Sequence, residues 1–162
     1  MEIWDAYDRD FNRIAGVTLV RGEPIPAGCF HLVCDIIVRH TDGSYLLMQR
    51  APEKHLGGMW EATAGGSALR GESPADCALR ELREETGIAA EALTELGLLR
   101  HNRQRTFYAE YLCVTGIDKN SIVLQPGETC GYRWVSREAL MRMTSAELAT
   151  HRVQNFIEEL VR

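Results

Sequence analysis

The sequence has no run of about twenty apolar residues, so it offers no candidate membrane-spanning helix. Its opening, Met1-Glu2-Ile3-Trp4-Asp5, lacks the basic and then apolar regions of a secretory signal, which predicts a cytoplasmic protein. The five cysteines, Cys29, Cys34, Cys77, Cys113 and Cys130, are scattered and never form a CxxC pair. That excludes a disulfide framework or a zinc site and leaves reduced, mostly buried thiols. Repeats, low-complexity tracts and proline-rich linkers are missing as well, so nothing divides the 162 residues, and a single domain over 1–162 is expected. Lysine is scarce, with only Lys54 and Lys119 among 18 basic residues. The net charge of -5 argues against a general nucleic-acid or membrane surface.

What is present is an alternation of strand and helix signals. Ile3 to Tyr7 and Arg13 to Arg21 flank the turn-prone Asp8-Arg9-Asp10 and read as a β-hairpin, placed to cover one edge of a main sheet. His31 to Arg39 and Ser44 to Arg50 are apolar, β-compatible runs joined through Asp42-Gly43, and should pair antiparallel. Trp60 to Thr63 leads into Ala64-Gly65-Gly66, where two glycines permit a sharp turn or close backbone approach to a ligand. Ser73 as N-cap, Pro74 at the first helical position and Gly87 as terminator delimit a helix. Strands are expected at Glu95 to His101, Arg105 to Thr115 and Gly131 to Val135. Helices should follow from Ser136 and from Thr144, where Thr144-Ser145-Ala146-Glu147 forms a capping box. The fold class is α/β or α+β.

Within the Pro74 to Thr86 helix, Ala75, Ala78, Leu79, Leu82 and Thr86 make a core-facing stripe. Glu81, Glu84 and Glu85 fall outside it at spacings of i, i+3 and i+4, so their like charges disfavour the isolated helix. A compensating cation would relieve that repulsion, and clustered carboxylate oxygens suit Mg²⁺ or Mn²⁺ rather than a soft metal. A solvated charged face, partly neutralised by Arg80 and Arg83, is the alternative for such a run.

The wider pattern decides between them. Gly66, five residues, Glu72, seven residues, then Arg80-Glu81-Leu82-Arg83-Glu84-Glu85-Thr86-Gly87-Ile88 matches the Nudix box, residues 66–88, at every defining position. A chance match is on the order of one in a hundred million per start position. The chain therefore resembles the Nudix hydrolases. That resemblance implies an α/β/α sandwich around a mixed β-sheet and an Mg²⁺-dependent hydrolase, with Mn²⁺ as a substitute. The substrate would be a small molecule, a nucleoside diphosphate linked to another moiety. It also implies that Glu81, Glu84 and Glu85 bind the metal with a carbonyl at Gly65 or Gly66, and that Glu72 and Arg80 pair to hold the loop against the helix. Glu81 or Glu85 is placed to act as base, and so is the distant loop residue Glu128, in an arrangement similar to some family members. Many members of the family are dimers, and a homodimer is a corresponding expectation.

Trp4 to Val33 and Leu46 to Gly66 are further similar to the isopentenyl-diphosphate-isomerase-like branch of the family. Isomerases of that branch carry a cysteine just after the strand before the box, and Trp60 to Gly66 has none, which favours hydrolysis over isomerisation. A regulator that binds nucleotides without turnover is the other alternative, and the unbroken glutamate set speaks against it. Arg50, Arg103 and Arg105 are candidates for phosphate contacts and Trp60 for stacking on a base.

Overall fold

The computed structural model describes residues 1–159; the last three residues of the expected 1–162 unit lie outside the described residues. Strands β1 (Ile3–Tyr7) and β2 (Arg13–Val20) form the expected antiparallel hairpin, with Ile3 opposite Val20. The chain continues through β3 (His31–His40), β4 (Tyr45–Arg50), β5 (Trp60–Glu61) and β6 (Thr63–Ser67). It then forms helix α1 (Pro74–Thr86), strands β7 (Thr94–His101), β8 (Thr106–Thr115) and β9 (Thr129–Val135), and helices α2 (Arg137–Arg142) and α3 (Arg152–Glu159).

The main sheet runs β5-β4-β3-β8-β7, with β6 also on β3 and β9 also on β4. It is mixed: β3 and β8 lie parallel from His31 opposite Thr106 to His40 opposite Thr115, while β3 meets both β4 and β6 antiparallel. Strand β3 is buried on both faces, which explains its nearly continuous apolar run. Cys34, Ile36 and Val38 pack on the α1 side with Ala78 and Leu82. Ile37 packs on the opposite side with Leu140, Leu148, Val153 and Ile157 of the C-terminal segment. The result is the α/β/α sandwich. The hairpin docks through a Tyr7–Phe30 bridge and through Trp4 stacked on His31 at 4.7 Å.

Helix α1 has the expected limits. Ser73 Oγ accepts from the Asp76 N–H at 3.1 Å, and Gly87, at φ 77°, donates its N–H to the Arg83 carbonyl. The inward stripe is different, because Ala75 is exposed and Leu79 half-buried, while Cys77 and Glu85 join Ala78, Leu82 and Thr86 inside. The helix expected from Thr144 is a single turn. Its capping box forms, with Glu147 Oε2 accepting from the Thr144 N–H at 3.0 Å. The next backbone groups are captured by β5: the Trp60 N–H donates to the Glu147 carbonyl, and the Ala149 N–H donates to the Trp60 carbonyl, each at 2.9 Å. Helix α3 therefore starts only at Arg152.

Candidate functional site

The two glycines of β6 set the geometry. A Cβ on Gly65 would lie 2.1 Å from the Cys34 carbonyl oxygen, and one on Gly66 would lie 2.7 Å from the Glu81 carboxyl, so only glycine lets the strand press this closely on β3 and α1. The Gly65 N–H then donates to Glu85 Oε2 at 3.0 Å. Glu85 is buried, and burial pushes its carboxyl up to about 8, with the charges of Glu61 and Glu81 adding to the shift. Glu81 is likewise raised by burial, and so is Glu61 on β5.

Arg80 organises the rest. Its guanidinium donates to both oxygens of Glu72 at 2.6 and 2.9 Å, to Glu81 at 2.6 Å, to Glu84 at 3.2 Å and to the Ser67 carbonyl at 3.2 Å. The Glu72–Arg80 pair thus ties the loop to the helix as expected. The three helix glutamates do not share one exposed face: Glu85 turns inward, Glu81 is partly covered and Glu84 stands at the exposed rim. Among the described residues, no three His, Cys, Asp or Glu side chains converge closely enough to hold a metal ion. The donor set nevertheless fits a hard cation, since it is entirely oxygen and its innermost member, Glu85, has a backbone N–H but, among the described residues, no cationic side chain bonded to it.

Gly65, Gly66, Arg80, Glu81, Glu84 and Glu85 line a polar groove of about 280 Å³. Lys54 and Glu128 enter it from separate loops as an ion pair, so Glu128 does lie beside the glutamate helix. Gln125 comes from the same loop as Glu128, and Glu2, Trp4 and Arg21 come from the hairpin. Arg21 is braced by Glu2 at 2.8 Å, and Glu2 also accepts from Trp4 Nε1 at 2.7 Å.

The other expected substrate contacts are not brought to the groove. Arg50 pairs with Glu61 and donates to the His55 carbonyl at 2.7 Å, which secures the loop that carries Lys54. Trp60 sits in the α3-side core beneath the Arg133 guanidinium at 4.3 Å. Arg105 donates to the Ile25 carbonyl, and Arg103 is exposed in the β7–β8 turn. Local sequence marks neither Arg21 nor Gln125, whose positions depend on the docked hairpin and on a long loop. Lys54 had one available signal, as one of two lysines, set in the turn-rich stretch between two strands.

A family model described as the NUDIX domain matches residues 30–159. The chain belongs to the Nudix family. An uncharacterized Nudix hydrolase of Listeria monocytogenes is 28% identical over 147 residues, covering 90% of this chain and 86% of the relative. The isopentenyl-diphosphate Delta-isomerase of Streptomyces avermitilis is 36% identical over 78 residues, or 48% of this Nudix chain and 40% of the isomerase. The crystal structure of DR0079 from Deinococcus radiodurans shares the fold, with a TM-score of 0.78 over 99% of this chain and 100% of that one at 20% identity. Family and relatives make this Nudix chain a pyrophosphohydrolase, and Nudix enzymes generally use divalent metals. No helix among the described residues is long and apolar enough to cross a membrane.

Proposed function

We propose that residues 1–162 form one catalytic unit, an Mg²⁺-dependent hydrolase that cleaves the diphosphate linkage of a nucleoside diphosphate bearing a second moiety, with Mn²⁺ able to replace Mg²⁺. The observation that carries this reading is the buried Glu85 carboxylate, crowded by Glu61 and Glu81 and, among the described residues, hydrogen-bonded only by the Gly65 N–H. Burying negative charge without a partner is costly, and a divalent cation relieves that cost. Glu81, Glu84 and Glu85, with the Gly65 carbonyl, would hold it. When bound, such an ion polarises a phosphoryl oxygen and acidifies water.

The chain's own residues supply the rest. Lys54 and Arg21, both lining the groove, neutralise the diphosphate oxygens. Arg80 keeps Glu81 and Glu84 in place through its ion pairs. Glu128 reaches the groove from a loop and accepts the proton of the attacking water, while its pairing with Lys54 sets the orientation of both. The isomerase alternative needs a thiol at the groove. Strand β6 has none, and Cys34 and Cys77 are fully buried beneath it, donating to the Pro74 and Gly66 carbonyls, with the neighbouring Cys77 thiol and burial pushing the Cys34 thiol far up.

A panel of diphosphate compounds, assayed for released phosphate and phosphomonoester with and without chelator, tests the proposal. Activity is expected to vanish in EDTA, return with Mg²⁺ or Mn²⁺, and fall by about 10²–10⁴-fold in Glu85→Gln. Full turnover in chelator, or near-normal turnover of the variant, would sink the assignment.

A further inference from the structure

Toward the C-terminal end of β3 lies a second pocket, of about 370 Å³, which shares no lining residue with the groove. Gly66 of the groove pairs with Cys34, and Arg39 stands five residues further along β3, or about 16 Å at the rise of an extended strand. The strand registers build the floor of this pocket. Arg39 is opposite Tyr45 of β4 and opposite Val114 of β8, so the three side chains form a row across adjacent strands. By strand alternation the row lies on the same face as Ile37 and Leu112, the face covered by the C-terminal segment. Arg137, the first residue of α2, completes the wall.

Two guanidiniums thus face one pocket, and no carboxylate lines it. Arg39 and Arg137 are half-buried, form no salt bridge among the described residues, and Arg137 Nε is buried without an acceptor. The neighbouring polar groups are already engaged. His40 receives the Asp42 N–H on Nδ1 at 3.2 Å, and its Nε2 lies 3.1 Å from the Ile117 carbonyl. Asp42 is held by Lys119 and accepts from the Ser44 N–H at 3.0 Å and the Ser44 hydroxyl at 2.7 Å. A buried N–H without an acceptor and two like charges on one pocket are both unfavourable, and a single oxyanion between them relieves both. A phosphoryl group has enough terminal oxygens for two guanidinium forks, whereas a carboxylate is occupied by one. Tyr45 and Val114, the latter 50% exposed, add apolar surface for a group attached to the phosphate.

We propose that Arg39 and Arg137 form a binding site for a phosphoryl group, carried by inorganic phosphate or by a phosphomonoester, separate from the catalytic groove. The site requires no metal and stands whether or not the groove hydrolyses the substrate proposed above.

Two-dimensional ¹H–¹⁵N NMR in EDTA, which keeps metal-held phosphate out of the groove, is the test, with inorganic phosphate and phenyl phosphate as probes. Both are expected to shift, saturably, the Arg39 and Arg137 Nε–H signals and the backbone amides of residues 39–45. Tighter binding of phenyl phosphate identifies a phosphomonoester as the ligand, and equal or weaker binding identifies free phosphate. Arg39→Gln and Arg137→Gln should each weaken binding about 10–100-fold, the loss expected for hydrogen bonds to a charged group. The remaining signals should stay in place and report an intact fold. Shifts that sodium chloride reproduces at equal ionic strength, shifts confined to groove residues, or binding indifferent to both substitutions overturn the proposal.

Discussion

Glu85 shows how one residue can be unfavourable for the fold and necessary for the proposed chemistry. Its carboxyl, held at about 8 by burial, lies well above its ordinary value of 4.5, so the folded protein binds more protons than the unfolded chain between those values. The contribution of this residue to stability therefore falls as pH rises from about 4.5 to 8. Glu85→Gln keeps an oxygen for the Gly65 N–H and removes the need to take up a proton on folding at neutral pH. In chelator at neutral pH it should melt higher than the wild type by about 1–3 kcal/mol of stability. Scanning calorimetry of both proteins checks this, and a lower melting temperature for the variant would show that the buried charge is already compensated. Glu81, Glu84 and Glu85 were legible in the sequence because their spacing repeats a motif. The inward turn of Glu85 was not, since a helical wheel assigns faces by hydrophobicity and this carboxylate occupies a position normally filled by an apolar side chain.

At the scale of elements, helix α3 is fastened to the sheet by charge. Arg152 pairs with Asp35 of β3 and with Glu110 of β8, donating to Glu110 at 3.3 Å, and its guanidinium lies 3.7 Å above the Tyr108 ring. Glu110 is fully buried and its Oε2 finds no hydrogen-bond partner among the described residues. Burial, reinforced by the charge of Asp35, pushes the Glu110 carboxyl up to about 8, and burial raises Asp35 against the opposing pull of Arg152. Both carboxyls are raised, so stability at this triad is fully present below the ordinary carboxylate range and is lost as pH climbs toward 8. Glu110→Gln is expected to flatten the fall in denaturation midpoint between pH 5 and pH 8, as measured by urea titration at several pH values. An unchanged slope would place the titration elsewhere. The elements themselves were readable where caps and turns are local, as with Ser73, Gly87 and Asp42-Gly43. They were misread at Thr144, where a complete capping signal is overridden by hydrogen bonds from Trp60, more than eighty positions earlier.

For the molecule as a whole, the groove is assembled from parts far apart in sequence: the hairpin, the loop after β4, the glutamate helix and the loop before β9. This is why the glutamate cluster could be read from the sequence and the other residues lining the groove could not. The box is one continuous stretch, whereas Arg21 and Lys54 meet only when the hairpin docks through Trp4 on His31. Under the proposed reading, Arg21 grips the diphosphate in ground and transition states alike. Arg21→Ala should then raise KM by up to about tenfold with kcat nearly unchanged, because the side chain is well exposed and its ion pairing is screened. Steady-state kinetics on the best substrate of the panel decides it, and a fall in kcat at constant KM would give Arg21 a different role.

The span matched by the family model begins at residue 30, yet three of the side chains around the groove precede it. Under the proposed reading, what the groove admits therefore depends in part on side chains that the family pattern itself does not prescribe.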